Sequence, residues 1–142
     1  MNKQRTAIDV DAISDRCVFI TTPMRSGSTL LSRMLSAHPL VTISYDSLNF
    51  FRYCYHRYDP ISDLDNVKRL FKDTAYRLLH RFDIKLDEEE CLAHMGTRNL
   101  SYGQAYLSIL RGVFSHNGKP IVGDKESLAW TKIPDFLRMC PG

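Results

Sequence analysis

The residues best suited to chemistry form one short polar run, Arg25-Ser26-Gly27-Ser28-Thr29. The run separates an apolar stretch typical of a buried strand, residues 17–21, from a segment with helical apolar spacing, residues 28–37. A turn from a strand into a helix gathers unpaired backbone N–H groups and the positive end of the helix dipole. Gly27 lets the backbone approach a ligand closely, and the guanidinium of Arg25 matches phosphate oxygens. The run therefore predicts a phosphate-binding loop.

Other loops that bind phosphate have different patterns. A Walker loop requires a lysine before the Ser/Thr pair and a glycine further upstream, and this sequence has neither at Ser28-Thr29. A dinucleotide-binding turn requires three glycines, whereas this segment contains only Gly27. The hydroxyls also fit a second interpretation, in which they only cap the helix that follows.

Two further charged residues follow predicted strands. Asp46 comes after a short strand over residues 41–44, and Lys125 comes after a third strand over residues 120–123. In a parallel sheet the carboxyl ends of the strands share one edge, so both side chains should lie near the polar loop. Asp46 has an alternative role as a helix cap, with Ser47. The alternative for Lys125 is that it is a surface lysine that forms an ion pair with Asp124 or Glu126.

Helical patterns alternate with the three strands. The clearest one is an amphipathic helix over residues 65–82, and apolar spacing or capping residues mark others near residues 87–90, 101–113 and 134–139. The aromatic segment 48–58 is typical of core or pocket wall. Leu30, Leu31, Met34 and Leu35 are spaced as one apolar face of the first helix, which should end at His38-Pro39. The pattern predicts an α/β fold, a P-loop-like three-layer α/β/α architecture with a parallel sheet.

Composition limits the functional classes. The chain has 142 residues, a net charge of +3, 44% hydrophobic residues and 25% charged residues, which is typical of one globular domain. The charge is too small, and too scattered, to predict nucleic-acid binding. The four cysteines form no Cys-x-x-Cys pair, so no metal site is expected. We expect a polar lead-in over residues 1–16, a domain over residues 17–142, no membrane span and a cytoplasmic location.

The loop motif resembles that of a known family. Residues 25–31, followed by Ala37-His38-Pro39, resemble the 5′-phosphosulfate-binding loop of sulfotransferases, which use 3′-phosphoadenylyl sulfate (PAPS) as the sulfuryl donor. The segment 123–127 resembles that family's lysine turn. One departure is the proline, which usually directly precedes the basic residue and here lies one position earlier, at Pro23.

The resemblance implies roles for particular residues. Arg25, Ser26, Gly27, Ser28 and Thr29 would hold the donor, and Arg25 and Lys125 would stabilise charge on the departing phosphate. Asp46 would be the catalytic base, because some members of the family place a carboxylate there. His38 is a tempting base, but its position in a His-Pro helix terminator favours a structural role. A hydroxyl (or amine) on a small molecule, carbohydrate or peptide would be the acceptor, and no metal is implied.

Sulfotransferases continue into a further strand and helix that carry an Arg and a Ser for the donor's 3′-phosphate. This sequence stops at Pro141-Gly142, so we expect a fragment with a sheet that is incomplete at its C-terminal end and an exposed strand edge that favours self-association. Two alternatives stay open, a P-loop kinase or nucleoside triphosphatase and a non-catalytic relic that binds an anion.

Overall fold

The computed structural model describes residues 16–114 and 118–140. In chain order the elements are β1 (Cys17–Ile20), α1 (Ser28–Ser36), β2 (Val41–Tyr45), α2 (Phe50–Tyr53), α3 (Leu64–Phe82), α4 (Glu88–Met95), α5 (Tyr102–Phe114), β3 (Ile121–Lys125), a 3₁₀ turn (Trp130–Lys132) and α6 (Ile133–Met139). Most of the predicted lead-in, the helix stop at Asn117 and the break at Pro141-Gly142 lie outside the described residues.

The three strands form one parallel sheet in the order β1–β3–β2, with β1 and β2 at its edges. Gly123 lies at the centre, in register with Val18 on one side and Ile43 on the other. A Cβ at Gly123 would approach the Val18 carbonyl oxygen to 2.5 Å, so the close strand packing requires glycine here. The sheet and its helices confirm the predicted α/β fold.

The third strand is longer than predicted. It continues through Asp124 and Lys125, which we had placed in a turn after the strand. Because side chains alternate along a strand, Asp124 shares a face with Val122, while Lys125 lies on the other face. Asp124 is fully buried as a result.

The hydrophobic core lies between the sheet, the aromatic segment, α3 and α5. Phe50, Phe51 and Cys54 are buried in it, so these residues of the aromatic segment belong to the core, one of the two roles predicted for it. Tyr106 of α5 packs against the Phe50 ring with 4.8 Å between centroids. The predicted bounds of α3 are correct to within one residue, although Leu79 of its apolar face is partly exposed.

Helix α1 contradicts the prediction for its apolar face. Leu30 and Met34 are 64% and 65% exposed, whereas Ser28 and Ser32 are buried. The side of α1 that meets β2 carries small hydroxyl residues, and the Ser36 hydroxyl accepts the Ile43 amide at 2.9 Å. Small side chains allow the helix to approach the strand closely, so packing places the larger apolar residues outward.

None of the helices in the described part of the chain is long and apolar enough to cross a membrane.

Candidate functional site

The loop between β1 and α1 has a backbone that few residues tolerate. Arg25 has a φ of 64° and Gly27 a φ of 82°, both in the left-handed region. The Ser26 hydroxyl donates to the Pro23 carbonyl at 2.8 Å and closes the turn. Gly27 is the N-cap, and its carbonyl accepts the Leu31 amide at 3.1 Å. The amide groups before Leu31 therefore have no acceptor within the helix and are available to an anion.

Asp46 directly follows β2 in a left-handed conformation, with a φ of 54°. Its amide donates to the Lys125 carbonyl at 2.9 Å, which fixes it against the end of β3. One oxygen of its carboxylate accepts the Ser127 amide at 3.3 Å and the Ser127 hydroxyl at 3.2 Å. The alternative that Asp46 caps the next helix is wrong, because the N-cap of α2 is Asn49.

Lys125 is the last residue of β3, and its side chain is only 4% exposed. Its ammonium forms an ion pair with the Asp46 carboxylate and donates to the Ser127 hydroxyl at 2.8 Å. The alternative of a surface lysine paired with Asp124 or Glu126 is therefore wrong. Lys125, Asp46 and Ser127 form a closed hydrogen-bonded group at the edge of the sheet.

The loop and this group line the same cavity, of about 220 Å³. Its lining residues are Met24, Arg25, Ser26, Gly27, Ser28, Thr29, Asp46, Lys125 and Ser127. Every residue that the sequence singled out for donor binding or catalysis contributes to this lining. Two cations, one carboxylate, several hydroxyls and a helix N-terminus thus converge on one space, a combination that suits an anionic ligand.

Sequence reasoning gave Ser127 no role and considered Glu126 only as an alternative partner of Lys125. The Glu126 carboxylate accepts the amides of Phe51 and Arg52 at 3.1 and 3.0 Å, and so satisfies the N-terminal end of α2. Burial raises the pKa of Glu126, and these two hydrogen bonds oppose the change. Both residues follow a predicted strand at the edge of the sheet where ligands bind, and this position could have suggested a role. Their partners Arg52 and Asp46 lie more than 70 residues away in the sequence, so the contacts themselves were not predictable.

Asp124 directly precedes Lys125 in β3 and is fully buried. Neither of its carboxylate oxygens has a hydrogen-bond partner among the described residues. Burial, and then the nearby Glu126 carboxylate, raise the pKa of Asp124 well above its usual range; the Ser44 hydroxyl and the Phe50 amide lie near enough to oppose this in part, although neither has the geometry of a hydrogen bond. Asp124 therefore favours its neutral, protonated form.

His38 does not belong to the cavity lining. Its Nδ1 accepts the Leu40 amide at 3.2 Å, which is the structural role expected of the helix terminator. All four cysteines are free thiols. Within residues 16–114 and 118–140, no group of His, Cys, Asp and Glu side chains is arranged to hold a metal ion.

Comparison with known proteins identifies the family to which the chain belongs. No curated protein and no solved structure matches the chain. The model of the sulfotransferase family matches residues 17–142, which include all three strands and the whole cavity lining. The chain therefore belongs to the sulfotransferase family.

Proposed function

We propose that the cavity at the carboxyl ends of the strands binds PAPS and that the protein transfers its sulfuryl group to an acceptor hydroxyl or amine. The observation that carries this proposal is the convergence of Arg25, Lys125 and the N-terminus of α1 around Asp46. The four free thiols favour a reducing compartment, and we propose the cytoplasm.

The residues present fit a phosphosulfate anion. The amides at the start of α1 and the hydroxyls of Ser28 and Thr29 supply neutral donors, and Arg25 supplies a charged fork. Lys125 lines the same cavity as the loop, and its proposed role is to contact the oxygen between sulfur and phosphorus. Because these donors line one cavity, they can act on one small group together.

PAPS supplies an activated sulfuryl group whose bond to the 5′-phosphate breaks during transfer. The acceptor oxygen forms the new bond to sulfur, and the electron pair of the broken bond stays on the phosphate oxygen. Asp46 takes the acceptor proton, and Arg25 and Lys125 stabilise the phosphate charge. Ser127 orients Asp46 through its amide and its hydroxyl, both bonded to the same carboxylate oxygen.

Calorimetric titration with adenosine 3′,5′-bisphosphate (PAP), the product of the donor, tests the donor site. A charge-assisted hydrogen bond contributes about 1.5–3 kcal/mol, so Arg25→Ala should weaken PAP binding by about 10- to 150-fold. Lys125→Ala should weaken it less, because the Lys125 ammonium is already paired with Asp46, whereas Arg25 lies in the loop at the positive end of the α1 dipole. Lys68→Ala, in the exposed part of α3, is the matched control and should bind as the unaltered chain does. Equal losses at Arg25 and Lys125, or no loss at Arg25, would contradict this assignment of the loop.

A further inference from the structure

We propose that a second cavity beside the first one binds the acceptor, and that it selects an acceptor carrying a carboxylate or sulfate group. This inference rests on the proposed function and adds the substrate class. The second cavity also has a volume of about 220 Å³. Its lining residues are Phe51, Arg52, Glu126, Ser127, Leu128, Ala129, Thr131 and Lys132.

The two cavities share Ser127. The Ser127 hydroxyl lies 3.2 Å from the Asp46 carboxylate and 2.8 Å from the Lys125 ammonium. A molecule in the second cavity is therefore next to the carboxylate proposed to take the acceptor proton. This position is the one that an acceptor needs if it is to meet the donor in the first cavity.

The lining of the second cavity is hydrogen-bonded to the segment that leads from β1 into the phosphate-binding loop. The Leu128 amide donates to the Thr22 carbonyl at 3.1 Å, and the Ala129 amide donates to the Thr21 hydroxyl at 2.9 Å. Leu128 has a φ of 62°, which a branched residue rarely adopts, and its side chain is 53% exposed. These bonds hold the acceptor wall in a fixed position relative to the donor loop.

The charges around the second cavity favour an anion. Arg52 forms no ion pair with any carboxylate among the described residues, and its guanidinium lies 5.9 Å from the centroid of the Tyr53 ring. The Lys132 ammonium lies 3.7 Å from the Asp135 carboxylate, and the same carboxylate also forms an ion pair with Arg138. Both cations lining the cavity thus have capacity for an added carboxylate or sulfate.

The one acid in the lining does not cancel this preference. Glu126 is 3% exposed, and its two oxygens already accept the amides of Phe51 and Arg52. Backbone hydrogen bonds thus engage both oxygens, and the nearby guanidinium groups of Arg52 and Arg77 offset the charge of the carboxylate. Arg52, Lys132 and Thr131 are the lining residues that can donate to an anionic ligand.

The test compares matched probes on the 142-residue chain saturated with PAP. We would titrate D-glucuronate against D-glucose, and 4-hydroxybenzoate against 4-hydroxybenzyl alcohol, and follow binding by calorimetry and by the shift in thermal unfolding. The anion of a pair should bind at least about tenfold more tightly than its neutral partner, as expected for a charge-assisted contact.

Substitutions identify the side chains that cause the preference for an anion. Arg52→Gln should abolish the preference and Lys132→Gln should reduce it, while Lys68→Gln should leave it unchanged. Equal binding of charged and neutral probes, binding of neither, or a preference that survives Arg52→Gln would each overturn the acceptor inference while PAP binding persists. Failure of PAP itself to bind would instead overturn the proposed function, and this inference with it.

Discussion

The buried carboxyl of Asp124 makes the stability of this protein depend on pH. Asp124→Asn keeps the shape of the side chain and removes its ability to ionise. The native carboxyl is fully buried and has no hydrogen-bond partner within residues 16–114 and 118–140, and its pKa is well above the usual range. In the unfolded chain water surrounds the same carboxyl, and its pKa returns to about 3.9.

The sign and size of the effect follow from proton linkage. When the pKa is higher in the folded state than in the unfolded state, the folded state binds the proton more tightly, and stability falls as pH rises. The loss begins near the unfolded pKa, at about pH 4, and continues up to the raised folded pKa. Within that window the free energy of unfolding falls by about 1.4 kcal/mol per pH unit from Asp124 alone. The Asp124→Asn variant lacks this loss, so its stability relative to the original chain should increase with pH at that rate.

Urea unfolding followed by circular dichroism at several pH values between about 4 and 8 measures this difference. The slope of the difference with pH is the relevant quantity, because any constant cost of placing an amide in the core cancels. Asp65→Asn is the control, since the Asp65 side chain is 86% exposed. A difference between Asp124→Asn and the original chain that stays constant over this range would refute the account of Asp124.

Two structural predictions concern groups that support the site. Arg77→Ala removes a guanidinium that donates to two carbonyls directly after Asp46, so it should lower the free energy of unfolding by about 1.5–3 kcal/mol and speed amide exchange in that loop. Unchanged exchange would contradict that support role. Gly103→Ala should destabilise the fold by about 1–3 kcal/mol, because its Cβ would lie 2.4 Å from the Met139 carbonyl oxygen. Gly112→Ala is the control in the same helix, with its nearest contact at 3.2 Å, and equal losses by chemical denaturation would contradict the packing argument.

Local patterns predicted the elements well where one periodicity dominated. The 3.6-residue repeat of α3 persists for five turns, so its bounds were predictable to within one residue. The polar loop was predictable because strand, glycine, hydroxyls and helix follow one another within a few residues. The parallel sheet then brought Asp46 and Lys125 to the same edge, as the rule for strand ends predicts.

Features set by packing between distant segments were not predictable in this way. The orientation of α1 was wrong because close contact with β2 selects small serines over the larger apolar residues. The burial of Asp124 was missed because nothing local shows that β3 continues beyond Gly123. The contact of Glu126 with α2 joins residues 75 positions apart, and only the folded chain reveals it.

The central claim is that the cavity around Arg25, Asp46 and Lys125 is a donor site for sulfuryl transfer. Calorimetric titration of the 142-residue chain with PAP, in parallel with ATP and Mg²⁺, tests it most directly. Our account predicts saturable binding of PAP and markedly weaker binding of ATP, since the loop has no Walker lysine. A preference for ATP with Mg²⁺, or no binding of PAP by a chain that circular dichroism shows to be folded, would contradict it.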